Sequence, residues 1–374
     1  MSAYLDYNAT APLRPEAAEI MTRLLAETGN GSSVHGAGRR ARAHVETARE
    51  QVAGALGAAP AGVVFTSGGT EANNLAIKGA GRKRLLVSAI EHPSVLEAAP
   101  EAEIIPADED GVVDLAALEA LLAGDDTPAL VSIMMANNET GVVQPVAAAA
   151  EIVHRHGALL HTDAVQAAGK LPVDMTWIGA DMMTVSSHKL GGPQGAGALI
   201  LRDGLGLEAQ IRGGGQERGH RAGTENVPGI AAFGAALDAA CTSLACYDAI
   251  EELRDDMELR IGAAAPEAVF FGARAERLPN TLCFGVPGLP SETQVISLDL
   301  AGVMVSAGSA CSSGKVEPSH VLAAMGAPDD LARSSIRVSL GWDSTEDDVQ
   351  AFVSAWSELH GRTRGGGAVQ ASAA

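Results

Sequence analysis

Aromatic side chains make up only 3% of the 374 residues, which leaves few platforms on which single-stranded nucleic acid could stack. Basic charge is also short: 26 Lys and Arg stand against 46 Asp and Glu, a formal net charge of −20. A chain of that sign repels phosphate backbones, so direct nucleic-acid binding is not expected. There are four cysteines, Cys241, Cys246, Cys283 and Cys311. They are too few for a disulfide framework, and none sits in the CxxC pair of a zinc ribbon or thioredoxin-type site. The histidines show no HExxH or similar spacing, so no metal site is expected. No uncharged apolar run approaches the roughly 18 residues of a membrane span. The opening MSAYLDYNAT lacks the basic-then-apolar pattern of a secretory leader. These absences point to a cytoplasmic protein with reduced thiols.

What the chain does have is apolar material, 47% of its residues, enough for a large core and, at this length, for two domains. Six short apolar runs read as strands: 62–66, 84–90, 129–135, 157–163, 181–187 and 197–202. Each is continuous rather than alternating, as expected of strands covered on both faces. Helical patterns at 71–80 and 145–157 lie between them, and strand–helix alternation of this kind predicts an α/β domain with a mostly parallel sheet. After about residue 225 the pattern changes. An Ala-rich helical stretch over 228–265 leads to strand-like runs at 281–287 and 336–341, a smaller α+β unit. The expected division is 15–250 for the large domain, 1–14 with 251–364 for the small one, and a disordered tail over 365–374.

Two residues carry the most chemical information. Asp163 ends the apolar run GALLHTD, and Lys189 follows the run DMMTVSS. Ligands of open α/β sheets bind beyond the carboxyl ends of the strands, so both side chains can face one crevice. A lysine amine that forms a Schiff base and a carboxylate that keeps a pyridine nitrogen protonated are what pyridoxal phosphate requires. Taken singly, either residue reads more readily as half of a structural salt bridge; the surrounding motifs reverse that. In VVFTSGGTEANN a strand runs into a Gly-rich turn and a helix start, where the backbone of Gly69 and Thr70 and the Thr70 hydroxyl can hold a phosphate. The turn lacks the GK[ST] of an ATP-binding loop and the spacing of a dinucleotide fingerprint. His92, just past the run RLLVSAI, suits either a stacking imidazole or a capping role. Cys241, Cys246 and Cys283 sit in apolar contexts and read as core. Cys311 lies in the Ser- and Gly-rich SAGSACSSGK, the setting of an exposed nucleophilic thiol.

Together YLDYNATAPL, GNGSSVHGAGRRAR, FTSGGTEANN, ANNETGVVQP, HTDAVQAAGKLPVD, SSHKLGGPQGAG, GGGQERGHRAGTEN and SAGSACSSGKVEPSHVL resemble the pyridoxal-phosphate cysteine desulfurases of the NifS/IscS branch, in the class V aminotransferase group. The resemblance spans about residues 3–342, with the motifs in the family's order. It implies the aspartate-aminotransferase-like (type I) fold: a large domain with a mainly parallel seven-stranded sheet plus a smaller α+β domain, assembled as a homodimer. It further implies that Lys189 carries the cofactor, Asp163 meets its ring nitrogen, Gln166 its ring hydroxyl, and His92 its ring face. Gly69, Thr70, Ser186 and His188 would bind the phosphate, joined by Thr224 from the other subunit. Asn138 would contact cofactor or substrate, Arg337 would clamp the substrate carboxylate, and Cys311 would take the sulfur of L-cysteine as a persulfide for an acceptor protein such as an iron–sulfur scaffold. A selenocysteine lyase or an aminotransferase of the same fold is the alternative. The sequence departs from the family in reading DYNAT where DNAAT is frequent, in Gly69 where Ala is common, and in a Gly/Ala C-terminus in place of the end that docks a scaffold.

Overall fold

The computed structural model describes residues 2–308 and 318–371. Seven strands form the central sheet, in the order Val63–Thr66, Gly197–Leu201, Met182–Ser186, Leu159–Asp163, Ala129–Ser132, Arg84–Ser88 and Glu103–Ile105. The five from Met182–Ser186 to Glu103–Ile105 run parallel. Gly197–Leu201 is antiparallel to both its neighbours. The mainly parallel sheet of seven strands is therefore as expected.

The strands alternate between two cores, which is why their sequences read as continuous apolar runs. Val63, Phe65, Leu86, Val131, Leu160, Met183 and Ile200 face one core with residues of the helices Gly36–Ala55 and Val227–Thr242. Their neighbours Val64, Val87, Leu130, Leu159, Met182 and Leu199 face the other with Ala72, Leu75 and Ala76 of the helix Gly69–Gly79. A strand buried on both faces has no polar side to alternate with. The edge strand Glu103–Ile105 was not foreseen in the sequence. It has three residues, one of them Ile104 at 52% exposed, and it is joined at the rim by the Glu103–Arg84 ion pair at 2.7 Å.

Beyond this layer lie a four-stranded antiparallel sheet, ordered Ser306–Ala307, Ser335–Ser339, Thr281–Gly285 and Val269–Phe270, and a short parallel pair of Ala3–Tyr4 with Val303–Met304. A further core joins Ala3 and Leu5 to residues between Tyr247 and Leu359, with Trp356 and Phe284 edge to face at 5.4 Å. The N-terminal segment thus reaches residues nearly the whole chain away. The expected helical stretch 228–265 is two helices, Val227–Thr242 and Cys246–Ala264, set at 74°. No single helix among the described residues is long and apolar enough to cross a membrane. The closing helix runs Glu346–Ala371, over part of the stretch expected as a tail.

Candidate active site

A cleft of about 720 Å³ opens at the carboxyl edge of the parallel strands. Gly69, Thr70, His92, Asn138, Asp163, Gln166, Ser186, His188, Lys189 and Arg337 all line it. Thr224 is exposed and does not. Cys311 lies outside the described residues. Of the other cysteines, Cys283 is fully buried and its thiol is pushed up by that burial; Cys241 and Cys246 are half-buried.

Asp163 is the last residue of its strand and is 4% exposed. Asn73 Nδ2 donates to its Oδ2 at 2.7 Å and the Val165 amide to its Oδ1 at 2.9 Å. Four lone-pair positions and two donors leave this carboxylate able to accept a further N–H. Asn73 Oδ1 is buried with no partner among the described residues. Lys189 follows the next strand, in the short turn Ser187–Lys189. Its Nζ donates to the carbonyls of Asn8 and Ala9, the latter at 2.9 Å. Burial, and then the nearby Arg337 cation, lower its pKa to about 8 against the pull of Asp6 and Asp163. A lysine so placed supplies an appreciable neutral, nucleophilic fraction at neutral pH.

His92 caps the short helix Pro93–Leu96: the Ser94 amide donates to its Nδ1 at 3.1 Å. That bond leaves the ring proton on Nε2. The ring is open to solvent within the cleft, yet enough protein surrounds it that desolvation lowers its pKa, countered by Asp163 and reinforced by Lys189 and His320. His188, bonded through Nδ1 to Thr10 Oγ1 at 3.2 Å, is held down to about 4 by burial and by the Lys189 charge. The His188 imidazole is therefore neutral at pH 7.

At one end of the cleft the helix Gly69–Gly79 begins, its amide dipole aimed outward. Gly68 precedes it at φ 154°, and a Cβ at Gly69 would lie 3.0 Å from Val165 Cγ2. Arg337, on the strand Ser335–Ser339, is 2% exposed. It donates to Asp6 Oδ1 and the Asn138 carbonyl, both at 2.8 Å, and its Nε has no partner among the described residues. Each of its two terminal nitrogens keeps a second N–H with no partner among the described residues.

Several further residues shape this site without a clear mark in the sequence. Asn73 falls one turn after Gly69 on the same helix face, a signal that was available. Glu139 and Ser319 (joined by a 2.5 Å hydrogen bond) and His320, bonded to the Glu91 carbonyl at 2.9 Å, also line the cleft. Only the fold brings those together.

An amine, a buried carboxylate, a helix N-terminus and an arginine, all at the carboxyl edge of a parallel sheet, are the marks of an α/β enzyme's active-site cleft. The donor set also fits a prosthetic group with an anion at one end, an amine-reactive carbonyl, and a ring nitrogen to be protonated. The chain belongs to the Aminotransferase class-V family, whose model matches residues 3–352. It is 45% identical over 365 residues to a cysteine desulfurase of Cereibacter sphaeroides, covering 94% of this chain and 93% of that one. It is 42% identical to the cysteine desulfurase IscS of Dictyoglomus turgidum, over 92% and 91% of the two chains. The X-ray structure of a NifS-like protein from Rickettsia africae superposes with a TM-score of 0.89 at 38% identity, covering 96% of this chain and 99% of that one. The fold is therefore that of the NifS-like enzymes.

Proposed function

We propose that the protein is a pyridoxal-phosphate-dependent cysteine desulfurase. It converts L-cysteine to L-alanine and moves the sulfur onto Cys311, from which an acceptor protein takes it for iron–sulfur cluster assembly or another thiolation. The observation that carries this reading is the meeting of Lys189, Asp163 and Arg337 in one cleft, in a chain whose relatives are named cysteine desulfurases along nearly their full length.

With pyridoxal phosphate bound, Asp163 would hold its ring nitrogen, Gln166 its ring oxygen, and His92 would lie against its ring. Gly69, Thr70, Ser186 and His188 would hold the phosphate, with Thr224 of the partner subunit. Bound there, the cofactor supplies an electron sink for charge developing at the substrate Cα. Arg337 donates a pair of N–H bonds to the substrate carboxylate, with Asn138 beside it. Lys189 in its neutral form accepts the Cα proton. His92 holds or delivers a proton at the substrate. The thiolate of Cys311 attacks the substrate sulfur: the new S–S bond forms as the Cβ–S bond breaks, and its electron pair stays on Cβ. That carbon takes a proton and becomes the methyl group of alanine.

The reading includes a homodimer, in which Thr224, exposed and apart from its own chain's cleft, would reach the partner's site. The reading places the enzyme in the cytoplasm, where thiols stay reduced.

Wild-type protein with L-cysteine and a thiol reductant should give alanine and sulfide in equal amounts with no keto acid added, and Lys189→Ala should give neither. Turnover that requires a keto acid and leaves the sulfur on its carbon would mark an aminotransferase. Activity on selenocysteine alone would mark a lyase.

A further inference from the structure

One lysine next to the cleft has no part in the proposed reaction. Lys170 is 3% exposed and lies four residues after Gln166. Its Nζ donates to Gln166 Oε1 and to Asn8 Oδ1, each at 2.8 Å. Both partners are neutral. The charges that act on it, Lys189 and Arg337, are cations, and with burial they hold its pKa well below the ordinary lysine range.

An amine in that position decides which way two amides point. The oxygen and NH2 ends of a carboxamide are nearly the same size, so packing alone does not choose between them. Lys170 is the donor in both contacts, so both amide oxygens are turned toward it. Gln166 Nε2 is thereby turned to the Asn8 carbonyl at 3.0 Å, and its second N–H has no partner among the described residues. The same carbonyl receives the Lys189 amine. On the far side, Asn280 Nδ2 donates to Asn8 Oδ1 at 3.1 Å, and Asn8 Nδ2 donates to Thr281 Oγ1 at 2.9 Å. Lys170 therefore sits at the centre of a buried chain of amides with one consistent direction of donation.

We propose that Lys170 is a positioning residue that locks Gln166 with its amide N–H toward the cleft, making Gln166 a donor to an oxygen anion on the bound ring and barring it from turning its own oxygen there. The inference rests on the pyridoxal-phosphate reading of the cleft.

The test is a pH titration of the yellow absorption of the purified holoenzyme, for wild type, Lys170→Met, Gln166→Leu and the double variant. A donor to the ring oxygen favours the form with more negative charge on the ring, so losing it moves the titration midpoint upward. Lys170→Met should raise the midpoint by about one pH unit. Gln166→Leu should raise it as well, and the double variant should go no further than Gln166→Leu. Where Lys170→Met does not fold, Lys170→Gln carries the same test, with a smaller shift in the same direction. An unmoved midpoint in a folded Lys170 variant, or an added shift on the Gln166→Leu background, overturns the proposal. A wild-type protein without yellow absorption overturns the cofactor reading instead, so the two failures are distinct.

Discussion

Replacing Glu91 by Gln should stabilise this protein, by an amount set by how poorly a carboxylate fares at that position. Glu91 is fully buried. Its Oε1 accepts from Ser88 Oγ at 2.7 Å and the Met134 amide at 2.6 Å, while Oε2 has no partner among the described residues. Burial, and to a lesser extent the Asp163 charge, raise its pKa from 4.5 to about 8. Between those values the unfolded chain has lost a proton that the folded protein keeps. The group's contribution to stability is therefore whole below pH 4.5, declines as pH rises, and is fully lost above about 8. At about 1.4 kcal/mol per pH unit, that loss is about 1 kcal/mol at pH 5.5 and about 4 kcal/mol at pH 8. A glutamine keeps the accepting oxygen and does not ionise. Its NH2 leaves two N–H groups without a partner where the carboxyl left one O–H, a difference that does not change with pH. Urea unfolding of wild type and Glu91→Gln at the two pH values should show the variant's advantage growing by about 3 kcal/mol. An advantage that is flat over that range, or a variant less stable at pH 8, would refute the reasoning.

Arg337→Lys keeps the charge but loses the paired N–H donors. A charge-assisted hydrogen bond is worth about 1.5–3 kcal/mol, so kcat/KM for L-cysteine should fall about 10- to 150-fold, mostly through KM; unchanged steady-state kinetics would remove Arg337 from the substrate site. Arg49→Ala should cost about 3–5 kcal/mol, read as a lower urea midpoint, because it strands the buried Glu217 carboxylate that Arg49 holds at 2.8 and 2.9 Å. That pair also anchors the strained turn in which Glu217 and Arg218 adopt φ of 46° and 54°, and an unmoved midpoint would show the anchor to be dispensable.

The sheet was legible because its strands are buried on both faces: a continuous run such as MMTVS can lie only in an interior, and its ends were read to within a residue or two. Glu103–Ile105 escaped because three residues with an exposed isoleucine carry no period. The same logic divides the site. Asp163 and Lys189 could be placed on one edge from strand ends alone, and Gly69 from the turn before a helix. His92 could be placed by its position after a strand, as a stacking or a capping imidazole, whereas Arg337 has its expected role from the family resemblance; the structure brings both into the same cleft. Asn8 and Lys170 were not legible, since their meaning lies in contacts spanning some 160 residues of chain, as in the 2.8 Å bond between them. A lone lysine after a glycine looks like any surface lysine until the fold buries it.

The proposed reaction turns on Cys311 receiving the sulfur. It is tested most directly by measuring sulfide and alanine released from L-cysteine in the presence of a thiol reductant, in wild type and in Cys311→Ala. Wild type should release equal amounts of both, and the variant should lose both while keeping its yellow cofactor absorption. Undiminished sulfide release by Cys311→Ala would contradict it.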